Sequence, residues 1–139
     1  MIIADTGAIV ALIDRNDRYH RAMRAAFEAR QDEWLLPWAI LPEVDYLLAA
    51  HVGIRAQEAF LADLADGAFP VAWSDDADLE AATRLAHRHR ALRIGLVDAV
   101  VMTIAARRRA RAIATLDVRH FAAVQIPGGP KLLPRDVQE

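Results

Sequence analysis

Short apolar runs punctuate this chain at Ile2-Ile3-Ala4, Trp34-Leu35-Leu36, Phe69-Pro70-Val71-Ala72-Trp73 and Ala112-Ile113-Ala114-Thr115. Such runs read as strands, and where they are apolar at every position, as strands buried on both faces. The stretches between them are longer and repeat their apolar residues at helical spacing. Strands that alternate with helices of this length predict an α/β fold with a mostly parallel central sheet flanked by helices on both faces. Pro70 suggests an edge position for the third run, because proline cannot donate to a sheet ladder.

The helical stretches carry their own boundaries. Tyr19, Ala22, Met23, Ala26 and Phe27 recur at i, i+3, i+4, i+7 and i+8, which marks an amphipathic helix with its arginines outward and Asp17 as its N-cap. A second helix is expected over residues 39–52, ended by Gly53. Pro42 is tolerated only in its first turn, so Glu43 falls near its N-terminus. A third, over 54–65, buries Phe60, Leu61 and Leu64. Ser74 is expected to cap the next, whose opening acids Asp75, Asp76 and Asp78 suit the positive end of the helix dipole and read as helix starters rather than ligands. Its buried stripe is Leu79, Ala82, Leu85 and Ala86. A helix over 96–109 begins with Asp98 and ends in Arg107, Arg108 and Arg109, so its charges match its dipole at both ends.

The chain's 139 residues, of which 55% are hydrophobic, fit a single domain spanning 1–139. A formal charge of −2 provides no overall basic field, so nucleic-acid contact would have to come from local arginines. Lys131 is the only lysine, a bias that a GC-rich genome explains as readily as selection for bidentate phosphate contacts. With no cysteine there is neither a disulfide framework nor thiolate chemistry. Asp5 and Asp14 interrupt the stretch a signal peptide would need, and no apolar run approaches the roughly 18 residues of a membrane span. These features set the expectation of a soluble, cytoplasmic protein without a membrane partner.

Four carboxylates occupy comparable stations. Asp5 and Asp117 lie just past the C-terminal ends of expected strands, while Glu43 and Asp98 lie in the opening turns of helices. In open α/β sheets these edges form the crevice where ligands bind. If the four converge they cannot all remain bare anions, since two like charges about 4 Å apart repel by roughly 4 kcal/mol at an effective dielectric of about 20. Clustered carboxylates without cysteine or well-spaced histidine favour Mg²⁺ or Mn²⁺ over Zn²⁺, and such ions support hydrolysis of phosphodiesters. The same residues also read as a turn residue (Asp5), ordinary helix-opening acids (Glu43, Asp98) and a cap (Asp117), and spacing alone leaves both readings open.

Asp5-Thr6-Gly7, Leu41-Pro42-Glu43-Val44-Asp45-Tyr46-Leu47-Leu48, Leu96-Val97-Asp98-Ala99 and Thr115-Leu116-Asp117 followed by Phe121 resemble the motifs of PIN-domain ribonucleases. More closely they resemble the VapC toxins of bacterial toxin-antitoxin systems, from the first strand to the closing Leu132-Leu133. The resemblance implies a PIN-like three-layer sandwich and a Mg²⁺- or Mn²⁺-dependent endoribonuclease whose metal-site acids are Asp5, Glu43, Asp98 and Asp117. It places Thr6 and Thr115 beside those acids, where a hydroxyl can orient a ligand or water. It also implies an RNA substrate, a homodimer, and a VapB-type antitoxin whose C-terminal segment covers the groove. Gly7 departs from the pattern, standing where many members carry serine.

Other polar residues read as secondary. Asp45, two positions after Glu43, points to another helix face and reads as a salt-bridge or outer group. Arg15, Arg18 and Arg93 are candidates for RNA phosphate contact. His20, His51 and His120 are isolated and read as surface or packing residues. Trp34, Trp38 and Trp73 read as core or interface residues rather than base-stacking platforms. Rival readings are weaker. Asp-Thr-Gly is also the aspartic-protease signature, but that fold is all-β. A phosphoacceptor receiver domain would need an acidic pair after the first strand and a lysine in a context Lys131 does not provide. A PIN-like module that binds RNA or protein without catalysis is the remaining alternative, and the presence of all four acids speaks against it.

Overall fold

A computed structural model describes residues 1–137, so the last two residues of the expected 1–139 unit lie outside the described residues. Among the described residues, β1 (Ile2–Ala4), β2 (Trp34–Pro37), β3 (Val71–Ala72), β4 (Ala112–Ala114) and β5 (Lys131–Leu133) form one sheet in the order β3-β2-β1-β4-β5. Every pairing is parallel, with Ile2 opposite both Trp34 and Ala112. The three residues of β1 and of β4 are all buried, as strands covered on both faces must be.

The covering helices are α1 (Thr6–Ile13), α2 (His20–Ala29), α3 (Leu41–Leu47), α4 (Ile54–Ala65), α5 (Asp76–Arg88), α6 (Leu96–Arg107) and α7 (Val118–Ala123). α6 is the central one: its residues from Ala99 to Ala105 are all buried, and it packs on β1, β2 and α5. Trp34 lies in the core against Phe27, edge to face at 5.1 Å, while Trp73 on the edge is 69% exposed. Pro70 immediately precedes β3, which is an edge strand as the proline requires.

The structure departs from the sequence reading at several boundaries. The helix expected over 39–52 is three pieces: a 3₁₀ turn Trp38–Ile40, α3, and a π turn Leu48–Val52. Pro42 cannot donate within a helix, so it sits in the first turn of α3. Gly53 then ends the segment at φ 149°, a conformation side chains other than glycine's rarely adopt. α2 begins at His20, and Asp17 acts one turn earlier by accepting from the Tyr19 N–H at 2.7 Å rather than capping the helix. Asp75, not Ser74, caps α5, because Asp78 completes a reciprocal capping box with it. Leu61 and Leu79 face solvent, and Phe60 and Ala82 are the fully buried hydrophobic residues of their helices. β5 follows the Pro127–Pro130 connector and is a strand that no apolar run in the sequence marks. Gly128 and Gly129 turn the chain there with φ of 91° and 56°.

Strand order locates a crevice. The chain leaves β1 to build β2 and β3 on one side, then returns to place β4 on the other. The connections after β1 and β4 therefore diverge, leaving a gap at the carboxyl ends of these two strands. Asp5 and Thr115 are the first residues beyond those ends.

Candidate metal centre

Asp5 is pinned by the sheet and by the helix it opens. Its N–H donates to the Ala114 carbonyl at 2.9 Å, extending the β1–β4 ladder by one residue. Its Oδ1 accepts from the Thr6 N–H at 2.8 Å, which makes Asp5 the N-cap of α1 and Thr6 the first helical residue. Its Oδ2 accepts from the Thr115 hydroxyl at 2.9 Å. Thr115 in turn accepts from the Asp117 N–H at 3.0 Å, so one hydroxyl orients both strand-end acids. The Thr6 hydroxyl is buried and has no hydrogen-bond partner. Gly7 packs loosely enough that an added Cβ would meet only Leu116 Cβ, at 4.0 Å, so serine would fit there.

Asp98 enters from the first turn of α6 and is half-buried. Asp117 caps α7, its Oδ1 accepting from the His120 N–H at 3.2 Å. His120 Nδ1 lies 2.8 Å from Asp117 Oδ2 and 3.7 Å from Asp98 Oδ2. One ligand atom from each of Asp98, Asp117 and His120 lies within 4.8 Å of the others. Glu43, exposed in the first turn of α3, is close enough that its charge acts on Asp98.

The electrostatics follow from burial and like charge. Asp5 is 6% exposed, and its carboxyl is pushed up to about 7 from an ordinary 3.8. Desolvation is the largest cause, followed by the negative charge of Asp98; the Thr6 N–H and Thr115 hydroxyl oppose the rise, and Asp117 adds to it. Asp98 is also raised, by burial and then by Asp117, with His120 opposing and Glu43 adding. The more buried Asp5 thus retains a proton into the neutral range, which limits the charge packed into the crevice. A strongly perturbed carboxyl among other acids, in a crevice at a switch point, marks a candidate functional site.

Asp5, Asp98 and Asp117 therefore share one end of the sheet, with Glu43 near enough for its charge to act on Asp98. His120 was missed as a member. The signal was present in its i, i+3 spacing from Asp117, which places both residues over the opening turn of one helix. His20 keeps the packing role expected of it, with Nδ1 2.8 Å from the Ala11 carbonyl. Asp45 accepts from Gln57 Nε2 at 2.9 Å, tying α3 to α4. Arg93 is exposed at φ 54° on the connection into α6, five residues before Asp98. Arg15 and Arg18 lie beyond the far end of α1, a helix whose eight residues carry the chain about 12 Å away from Asp5.

A parallel sheet of this order with acids gathered at the ends of β1 and β4 defines a class of protein, and comparison with known families agrees. Residues 2–126 match the PIN domain, and the chain belongs to the PIN-domain family. It is 37% identical over 128 residues to the ribonuclease VapC26 of Mycobacterium tuberculosis (strain ATCC 25618 / H37Rv), covering 92% of this chain and 95% of that protein. The fold is shared with M. tuberculosis VapC20, a sarcin-ricin loop cleaving toxin, at a TM-score of 0.80 and 21% identity, covering 88% and 95% of the two chains. It is also shared with DNA-bound VapBC from Salmonella typhimurium, at a TM-score of 0.69 and 16% identity, covering 94% and 95%.

Proposed function

We propose that this chain, acting as a single unit over residues 1–139, is a metal-dependent endoribonuclease toxin restrained by a cognate antitoxin. The observation that carries this reading is Asp5, a carboxylate 6% exposed at the end of β1, which burial and the like charges of Asp98 and Asp117 push up to about 7. The similarity to the ribonuclease VapC26 supplies the substrate class.

The residues present fit a divalent ion. The acids offer hard oxygen ligands, their mutual repulsion is relieved by a cation, and the buried Thr6 hydroxyl has an unfilled hydrogen-bonding capacity beside them. Asp5, Glu43, Asp98 and Asp117 would hold Mg²⁺ or Mn²⁺. When bound, such an ion polarises water for attack on phosphorus and neutralises charge on the phosphoryl oxygens. Thr115 fixes the Asp5 carboxylate and the Asp117 backbone in mutual register. Arg93, exposed on the approach to α6, is the arginine best placed to meet a phosphate of the RNA. Arg15 and Arg18 could reach only a substrate that extends beyond α1.

A VapB-type antitoxin is the protein partner this reading carries, supported by the fold shared with the Salmonella VapBC structure; a second copy of the chain is proposed on the family resemblance alone. Among the described residues no helix is long and apolar enough to cross a membrane, and a cytoplasmic site of action accords with an RNA substrate. The test is cleavage of total RNA by the purified chain with Mg²⁺ or Mn²⁺, with EDTA, and in Asp98→Asn. Cleavage should require the ion and fall by at least about 100-fold in the variant. Undiminished cleavage in EDTA or in the variant would sink the proposal.

A further inference from the structure

His120 is absent from the acid set that the family resemblance supplies, yet its imidazole lies against the carboxylates of two of them. Its backbone N–H and its ring engage both oxygens of Asp117, at 3.2 and 2.8 Å. The same Nδ1 lies 3.7 Å from Asp98 Oδ2, on a residue of a different helix. An octahedral ion with ligands at about 2.1 Å sets its adjacent ligand atoms about 3 Å apart. The separations of 2.8 and 3.7 Å between the imidazole nitrogen and the two carboxylate oxygens bracket that value. With its proton on Nε2, the ring presents the Nδ1 lone pair to the point that both carboxylates face.

We propose that His120 lends its Nδ1 to the divalent-ion site formed with Asp98 and Asp117, and that this nitrogen shifts the site's preference from Mg²⁺ toward first-row transition ions. The inference rests on the metal-dependent reading above and adds a residue and an ion preference to it. The chemistry is one of ligand hardness. Mg²⁺ favours oxygen and retains its water, whereas imidazole strengthens binding of the transition ions. A carboxylate-only site would discriminate weakly between Mg²⁺ and Mn²⁺. An added nitrogen ligand separates them.

The experiment measures metal binding to the RNA-free chain by titration calorimetry with Mn²⁺ and with Mg²⁺, and pulsed electron paramagnetic resonance of the bound Mn²⁺. Wild type should bind Mn²⁺ at least about tenfold more tightly than Mg²⁺ and show a directly coupled ¹⁴N nucleus. His120→Ala should lose that coupling and about tenfold in Mn²⁺ affinity while Mg²⁺ affinity stays within about twofold. His120→Gln, which keeps a donor for Asp117 but no imidazole, should behave like the alanine variant and guards against a merely unfolded mutant. If the wild type shows no ¹⁴N coupling, or if both affinities fall together in His120→Ala and recover in His120→Gln, the residue only positions Asp117 and the proposal is overturned. Loss of the inference with ion-dependent RNA cleavage intact leaves the proposed function standing. If neither ion binds the wild type, both readings are overturned.

Discussion

Two aspartates are buried almost equally in this molecule, Asp5 at 6% exposed and Asp78 at 4%, and their surroundings are opposite. Asp78 lies in the first turn of α5. Its N–H donates to Asp75 Oδ1 at 2.9 Å, its Oδ2 accepts from the Asp75 N–H at 3.4 Å, and Arg107 Nε donates to its Oδ1 at 2.7 Å. Helix terminus, cap and guanidinium together answer its charge. Asp5 also receives two hydrogen bonds, but the charges around it are Asp98 and Asp117, of its own sign. Burial of a carboxylate is therefore not what distinguishes the acid-lined end of the sheet. The sign of its neighbours is.

The contrast is sharpest in activity. Asp5→Asn should reduce ion-dependent RNA cleavage by roughly 1,000-fold, while Asp78→Asn should leave the rate of the folded protein within about threefold, as measured by fragment release from a labelled RNA. Equal losses in the two variants would erase the distinction between them.

In stability the sign reverses, and Asp5 becomes the costly residue. The unfolded chain releases the Asp5 proton near 3.8, whereas the folded chain holds it to about 7. The stability present below 3.8 is accordingly lost as pH rises through that window, and the difference amounts to about 4 kcal/mol. The raised Asp98 carboxyl acts with the same sign. Urea denaturation in EDTA should show wild type weakening between pH 4 and pH 8, with Asp5→Asn gaining up to about 4 kcal/mol on it at the upper end. A pH-independent gap would mean that Asp5 is ionised throughout. Arg107→Ala should have the smaller effect, a loss of about 2 kcal/mol at pH 7, because it strands the Asp78 charge. The guanidinium is 44% exposed, so solvent already screens the pair and the loss falls below that of a fully buried one. If Arg107→Ala is neutral in the same denaturation series, the capping box alone satisfies Asp78.

Much of this is legible in the sequence. β1 and β4 are short runs of residues that are apolar on both faces, a pattern with few homes outside a covered parallel sheet, and α4 begins and ends where its glycines and apolar spacing put it. Boundaries set by competing side chains were less legible. Ser74 and Asp75 are both good caps, and only the reciprocal bond from Asp78 selects between them. β5 is a three-residue strand beyond a Pro-Gly turn, with an exposed lysine at its start, and it exists because β4 offers it an edge.

What the sequence determined by itself is the set of local stations: acids after strands, acids at helix openings, the α/β rhythm, and the motifs that placed the chain in its family. These follow from interactions within a few residues, where turn chemistry, helix dipoles and apolar spacing operate. Only the tertiary structure decided which of the acids share a field. Thr115 lies 110 residues from the Asp5 it holds, and the order β3-β2-β1-β4-β5 brings them together. Only the structure, too, turned His120 from an isolated histidine into a neighbour of two carboxylates, and gave Asp78 the arginine that Asp5 lacks. Charge interactions depend on distance through space, and the sequence specifies that distance only after the sheet has been assembled.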